Sequence, residues 1–424
     1  MYSATMDSAT PRWGHDQRHL LTLDEAWTTI ASEARRAAPQ SVDLADAAGL
    51  TLARPVVAGS DWPPFDKAMM DGFAVRSDDC ATSGATLGIA GLAAAGDATD
   101  QTLGPGQAMR INTGAPMPND ADAVVRIEDT GVSDDGATVT INVNVPPKKH
   151  VARRGANRRV GDLLLAAPML IEAHQMAALA TAGCARVSVY PRTEAAIVLT
   201  GNEIVPVGQS LAPGQIHDSN GPMLASLIRQ FGGTPRRVGI VGDEASALRE
   251  KLADALRSPV VITVGGMSMG TLDLVPKAFT DLGVEWRFHG VSMRPGKPFA
   301  YGRGPDGQHV FGLPGNPVSA FVCAWLFVRM TLRALMGHPC KPPHRLRATL
   351  TRMIEPKRDP RPAFLPGRFW NHSEAGEIVE PCAWGGSGDP FGLAMANCLI
   401  AIDDPTRGAA LNESIEVIPI TTDL

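Results

Sequence analysis

Cysteine pairs, excess positive charge, membrane-length apolar runs and internal repeats are all missing from this 424-residue chain. Each absence excludes something. Cys80, Cys184, Cys323, Cys340, Cys382 and Cys398 are scattered, and no two stand as C-x-x-C. That spacing suits neither a disulfide framework nor a zinc site. A formal net charge of −5 argues against a general nucleic-acid binder. The most apolar run, "PVSAFVCAWLFV" at 317–328, is too short to span a bilayer, and Arg329 and Arg333 follow it. It reads as a buried helix, and no membrane partner is expected. No signal peptide is evident, which with unpaired cysteines points to a reducing, cytoplasmic home. Residues 1–19 lack an apolar segment and read as a flexible tail, His15 and His19 included.

What is present divides by texture. The length exceeds a single core, so three or four domains are expected. "LTLDEAWTTIASEARRA" opens with Thr22 and Glu25 in capping-box spacing, and Leu23, Ala26, Trp27, Ile30 and Ala34 share one helical face. From about Ser60 to Val145, short runs such as "AMRINTGAPMP", "DAVVRI" and "TVTINVNV" read as strands. Helical texture returns in "EAHQMAALATAG", which stops at Gly183. Residues 191–336 alternate strand and helix, which implies a parallel sheet covered on both faces. From about Lys341 the texture is β again, suited to a small barrel or sandwich.

Ligands on parallel sheets sit at the carboxyl ends of the strands, so those loops carry the candidate chemistry. "TGNE" offers Thr200, Gly201, Asn202 and Glu203; "GDE" offers Asp243; "GGMSMGTLD" offers Gly265, Gly266, Ser268, Gly270 and Asp273. Glycines there let backbone N–H groups approach a ligand, or simply form a tight turn. In "FGLPGNPVSA", Asn316 is placed to cap a helix starting at Pro317, with Ser319 in its first turn. Such a start accepts a small oxyanion, or is a well-capped helix and nothing more. Glu203, Asp243 and Asp273 together suit Mg²⁺ beside phosphates, although Asp243 and Asp218 also suit helix caps. In "SMRPGKPFAYG", Arg294 and Lys297 flank a Pro-Gly pair before a strand-like run from Pro298 to Tyr301. Two cations on a stiff turn suit an anion. "KKHVARRGANRR" carries Arg153 and Arg154 among its cations, either for phosphates or as solvated surface. "PPFDKAMMDGFAV" mixes Asp66 and Asp71 with apolar anchors, as a site wall does, or as a packed turn does.

Taken in order, "FDKAMMDGFAV", "RINTGAPMP", "RRGAN", "TGNE", "GGMSMGTLD", "MRPGKPFAYG" and "GLPGNPVSA" resemble the molybdopterin molybdenumtransferase family, of bacterial MoeA type and similar to the gephyrin E domain. The resemblance runs from about residue 20 to the end. It implies a multidomain α/β plus β fold. A discontinuous helical domain (20–60 and 146–190) takes a β-rich insertion (61–145). A molybdopterin-binding-like α/β domain (191–338) with a mostly parallel sheet and a C-terminal β-barrel (339–424) follow. It further implies a homodimer with the active-site cleft between subunits, and insertion of molybdate into adenylylated molybdopterin with release of AMP, dependent on Mg²⁺. A molybdopterin adenylyltransferase and recipient molybdoenzymes would be its partners.

Residue by residue, Arg294, Lys297 and Ser319 match the family's oxyanion pocket, and Asp71 and Thr113 match its opposing wall. Glu203, Asp243 and Asp273 match the acidic metal and phosphate positions. Gly265, Gly266, Ser268, Arg153 and Arg154 fall on substrate-binding stretches, and Arg368 and Ser387 match two further positions. This chain departs from the pattern at Arg294, where the family has Lys, at Asn202, Ala156 and Asn157, where it has acids, and at Gly290, where it has Lys. Those losses leave open a non-catalytic molybdopterin-binding or scaffold paralogue. A related adenylyltransferase is disfavoured by the four-domain plan.

Overall fold

The computed structural model describes residues 20–96, 100–242, 244–267, 274–374 and 376–421. The chain forms two compact units: one holds Asp43–Ala48 and Arg54–Val187, the other the chain up to Val42, Gly49–Ala53 and everything from Ser188.

Helix α1 (Leu23–Glu33) belongs to the second of these. Thr22 Oγ1 accepts the Glu25 N–H at 3.2 Å, and the Glu25 carboxylate accepts the Thr22 N–H at 2.8 Å. The capping box read from the sequence is present, and it satisfies two donors the helix leaves open. Leu23, Ala26 and Ile30 are buried on one face.

The Arg54–Val187 unit carries a six-stranded sheet. Its strands are β1 (Gly72–Val75), β2 (Ala85–Ala93), β3 (Gln107–Ile111), β4 (Ala123–Arg126), β5 (Thr130–Val132) and β6 (Thr138–Ile141), in the order β4-β1-β3-β2-β6-β5. Alternate residues feed two separate cores. Phe73, Val75, Val125 and Val139 enter one; Ala74, Met109, Ile111 and Val124 enter the other. The period of two explains why successive residues part company. Helix α2 (Ala173–Thr181) follows and ends against Gly183, whose φ of +73° is the left-handed C′ geometry.

The other unit is built on strands β7 (Glu194–Thr200), β8 (Thr234–Val241), β9 (Val260–Val264), β10 (Glu285–His289), β11 (Ala300–Arg303) and β12 (His309–Leu313). Helices α3 (Asn220–Gln230), α4 (Ala245–Ala255) and α5 (Leu274–Asp281) alternate with them. The sheet order is β8-β7-β9-β12-β11-β10. The first four strands run parallel; β11 is antiparallel to both its neighbours. The sequence reading missed β10, and it started the next strand two residues early, at Pro298. Every residue of β9 and β12 is buried, as expected for strands covered on both faces.

The apolar run at 317–328 opens a 19-residue helix, α6 (Pro317–Leu335), with a π-helical segment at Ala324–Val328. It is long and apolar enough to cross a membrane, yet 83% of its most apolar window is buried in the protein. Trp27 Nε1 on α1 donates to the Leu326 carbonyl at 3.2 Å. Strands β13 (Leu346–Leu350), β14 (Ala363–His372), β15 (Gly376–Pro381), β16 (Cys398–Ile402) and β17 (Ser414–Pro419) close into a barrel around Leu350, Phe369, Val379, Ile400 and Val417. The expected fold class is therefore observed, with a closed five-stranded barrel at the C-terminal end.

Candidate functional site

Three adjacent parallel strands, β7, β9 and β12, deliver their carboxyl-end loops side by side. Backbone shape rather than side chains governs the approach. Gly265 has φ +89°, and a Cβ on it would stand 2.5 Å from the Thr200 carbonyl oxygen. Gly266 has φ +60°, and its Cβ would meet Val275 at 2.6 Å. Only glycine tolerates both demands. The Thr200 hydroxyl donates to Val264 O at 3.2 Å and Gly265 N–H to Leu313 O at 3.2 Å, so the three strand ends are stitched together. The exposed Glu203 carboxylate folds back over Gly201, with both oxygens within 2.7 Å of where a Cβ would be.

Of the expected acidic trio, Glu203 lies among the described residues. Asp243 and Asp273, with Ser268 and Gly270, lie outside the described residues, as does the tail with His15 and His19. Among the described residues no three His, Cys, Asp or Glu gather as a metal site. Helix α4 is capped by Glu244, which accepts from Ser246 and Ala247 N–H groups, so the capping role does not need Asp243. Asp218 takes the Gly221 N–H at 2.7 Å as a cap would, but it is also buried and bonded to Arg237 at 2.6 Å.

The turn from Met293 to Pro298 is held from two sides. Arg294 exchanges backbone hydrogen bonds with the barrel: its N–H goes to Pro362 O, and its carbonyl takes the Phe364 N–H, both at 2.8 Å. Gly296, at φ +116°, presses against α6, where a Cβ would stand 2.8 Å from Cys323 Sγ. Cys323 is one turn beyond Ser319 on the same helix face, roughly 6 Å away by helix geometry. The turn is thus packed beside the start of α6. Both Arg294 and Lys297 are exposed there. Arg361 supports it, donating to Met293 O at 3.2 Å and gripping Asp359 through paired hydrogen bonds. That guanidinium holds the Asp359 carboxyl down at about 2.

Helix α6 begins at Pro317, as its φ predisposes it to. Asn316 occupies the N-cap position but makes no side-chain cap bond, contrary to the sequence reading. Its carboxamide instead donates to the Ser387 hydroxyl at 2.9 Å, and the Ser387 carbonyl accepts the Val318 N–H at 3.0 Å. The reason is competition: a backbone carbonyl from the barrel loop has taken the capping place. Ser319 is buried, and its hydroxyl has no hydrogen-bond partner among the described residues. Arg294 also lines a cavity of about 430 Å³ with Lys357, Trp384, Gly385 and Gly386, the last adjoining Ser387. Arg294, Ser319 and Ser387 therefore share one neighbourhood. Arg368 is exposed on β14 opposite Glu380, and no contact ties it to that turn among the described residues.

Asn220 was not singled out by sequence. It is buried, and its amide donates to Gly315 O at 2.7 Å, fixing the loop before α6. The only signal was its place in "HDSNGP", where Asp218 drew attention as a cap.

In the Arg54–Val187 unit, Asp71 Oδ1 accepts the Thr113 N–H at 2.7 Å, so the two predicted wall residues do adjoin. Asp66 Oδ1 accepts the Arg154 N–H at 2.7 Å, and Asp61 takes the Arg154 guanidinium at 2.8 Å. The Val160 N–H, then Arg154, hold the Asp61 carboxyl below its usual range. Arg153 is exposed. Loop 61–66 and loop 153–159 are thereby one structure, with the arginines on its surface.

Three family models match consecutive stretches. The MoeA N-terminal region (domains I and II) covers residues 21–183, a probable molybdopterin binding domain 196–334, and the MoeA C-terminal region (domain IV) 347–420. A molybdopterin molybdenumtransferase of Staphylococcus epidermidis is 31% identical over 410 residues, 95% of this chain and 96% of that protein. One from Nostoc sp. is 40% identical over 303 residues, 70% of this chain and 69% of that protein. The crystal structure of a molybdopterin biosynthesis MoeA protein from Pyrococcus horikosii superposes with a TM-score of 0.81 at 30% identity, over 95% of this chain and all of that one.

Proposed function

The chain belongs to the MoeA family of molybdenum cofactor biosynthesis enzymes, and from that premise we propose that it inserts molybdate into adenylylated molybdopterin and releases AMP. The observation that carries the reading is the turn bearing Arg294 and Lys297, packed beside the helix start that holds Ser319 and bonds to Ser387. A guanidinium, an ammonium, a free hydroxyl and a helix N-terminus together suit a tetrahedral dianion stripped of its water.

The glycine-lined strand ends at Gly201, Gly265 and Gly266 suit the pterin and phosphates, which need close backbone approach. Mg²⁺ fits the chemistry of the donors: Glu203 is a hard oxygen ligand in the open, and the ion takes few carboxylates beside water and phosphate oxygen. Glu203, with Asp243 and Asp273, would hold it; bound there, it would supply neutralisation of phosphate charge. Lys297 and Arg294 orient molybdate. Either one of its oxygens attacks the AMP phosphorus in line, expelling the pterin phosphate and passing to AMP, or water cleaves that linkage; in both cases the dithiolene sulfurs replace one oxygen on molybdenum. No side chain is assigned as a nucleophile, so catalysis is positioning and electrostatics.

We read the working form as a cytoplasmic homodimer in which Asp71, Thr113, Arg153 and Arg154 of one copy serve the oxyanion turn of the other. An adenylyltransferase would supply the substrate, and molybdoenzymes would take the product. Gly290 favours no rival reading. Its φ is +101°, so the family lysine would be strained on this backbone, and its Cβ would have to displace the end of the Leu20 side chain, 2.7 Å away.

The test is direct. Purified protein, adenylylated molybdopterin, Mg²⁺ and molybdate are mixed, and AMP is followed. Molybdate-dependent AMP release is expected. Pterin binding with no such release would instead make the chain a non-catalytic molybdopterin-binding paralogue.

A further inference from the structure

Removing a guanidinium from water without a carboxylate is costly, so buried arginines are normally paired. Arg329 and Arg333 keep their unpartnered nitrogens in reach of solvent, yet neither has a carboxylate partner among the described residues. They stand one turn apart on α6 and share a face. Both are half-buried, and burial pushes both below their ordinary value, with the Arg333 charge adding to the effect at Arg329. Arg329 lies 5.6 Å from the centre of the Trp325 ring and makes no hydrogen bond or ion pair among the described residues. Among the described residues the Arg333 guanidinium has one partner, His338 Nδ1, at 3.2 Å.

His338 brings no negative charge. A guanidinium only donates, so Nδ1 accepts, and the ring proton sits on Nε2, 3.2 Å from Thr51 Oγ1. Burial first, then Arg333 and Arg329, push His338 down to about 4. A third cation, Arg36, lies on a segment tied to the same helix end. Ala37 N–H donates to Leu335 O at 2.8 Å, which pins the Arg36 segment to the end of α6. Arg36 lies 5.8 Å from the centre of the Tyr190 ring, which fills the space a side chain on Gly337 would need. The C-terminal helix dipole offers only about half a negative charge against these three.

We propose that Arg329 and Arg333, with Arg36 at the rim, bind a small oxyanion of the phosphate class. The site is separate from the oxyanion turn: Arg329 is ten residues beyond Ser319, about 15 Å along the helix. Two guanidinium forks on one face suit such an anion better than they suit chloride.

The probe is inorganic phosphate, titrated calorimetrically into the full chain against sodium chloride of equal ionic strength. Lys297→Ala serves as the background, so that the turn contributes less and the arginine variants report the second site. Saturable phosphate binding beyond the chloride control is expected. Arg329→Gln and Arg333→Gln should each weaken it about tenfold, and the Lys variants only a few-fold. The His338 ring resonance of protein with native arginines should shift with the same midpoint, which keeps the test valid if a Gln variant fails to fold. Phosphate indistinguishable from chloride overturns the proposal. So do unchanged binding in both Gln variants, or Gln variants that alter only the sedimentation coefficient, which would assign the arginines to acids of a second copy.

Discussion

Asn316 donates its carboxamide to the Ser387 hydroxyl across 2.9 Å, and the Ser387 carbonyl in turn takes the Val318 N–H at 3.0 Å. The barrel loop therefore caps the helix on which the proposed oxyanion pocket stands. Ser387→Ala keeps the carbonyl and loses the hydroxyl. It should cost about 1 kcal/mol or less, since the site is half-exposed. The KM for molybdate should rise several-fold while pterin affinity holds. Urea melts and AMP release measure the two; an unmoved KM would remove Ser387 from the pocket.

Lys297→Ala should impair molybdate use far more than pterin binding, because its ammonium is assigned to the oxyanion and not to the pterin. A loss of about tenfold or more in kcat/KM for molybdate is expected for a charge-assisted contact. Arg294→Lys should keep activity within a few-fold, since the backbone bonds to Pro362 and Phe364 do not involve the side chain. Equal loss of molybdate use and pterin binding in Lys297→Ala would overturn the assignment.

The sequence was most readable where structure is set by near neighbours. The Thr22–Glu25 box, the stop at Gly183 and the buried strands β9 and β12 depend on contacts within a few residues or on simple period. It was least readable where the deciding partner is remote. Asn316 should have capped its own helix by local rules, but a carbonyl 69 residues past Val318 took that place. Asn220 reaches Gly315 across 95 residues, and no local pattern encodes that bond. β11 was legible as a strand but not as an antiparallel one, because burial on both faces leaves no alternation to mark its direction.

Two glycines should resist substitution. Gly296→Ala places a Cβ 2.8 Å from Cys323 Sγ at φ +116°, and Gly290→Lys restores the family residue at φ +101° against Leu20. Each should destabilise by about 1–3 kcal/mol, from left-handed strain plus overpacking. Gly290→Lys should therefore fail to raise activity despite the added charge. Chemical denaturation midpoints check the first claim, and a more active Gly290→Lys enzyme would refute the second.

If the site is shared between copies, two dead variants should repair each other. Asp71→Asn and Lys297→Ala disable different walls, so a mixed dimer carries one intact site and one doubly damaged one. Random pairing of equal amounts makes half the dimers mixed, which should restore about a quarter of wild-type AMP release. Activity no greater than the mean of the separate variants would place both walls in one chain.

His309 should set part of the acid limb of stability. It is buried, shares a 2.9 Å hydrogen bond with the Tyr301 hydroxyl, and is pushed down to about 3 by burial, then by the Arg303 charge. The folded chain thus keeps the ring neutral while the unfolded chain protonates it near pH 6.5. Between those values the unfolded state binds more protons, so stability rises with pH. The contribution is full above about pH 6.5 and is lost progressively as the pH falls toward 3. His338, pushed down to about 4, acts in the same direction over a narrower window. The urea midpoint should fall from pH 7 to pH 5, and the fall should be smaller in His309→Asn, which has no ring to protonate. An equal fall in both proteins would show that His309 protonates without unfolding the chain.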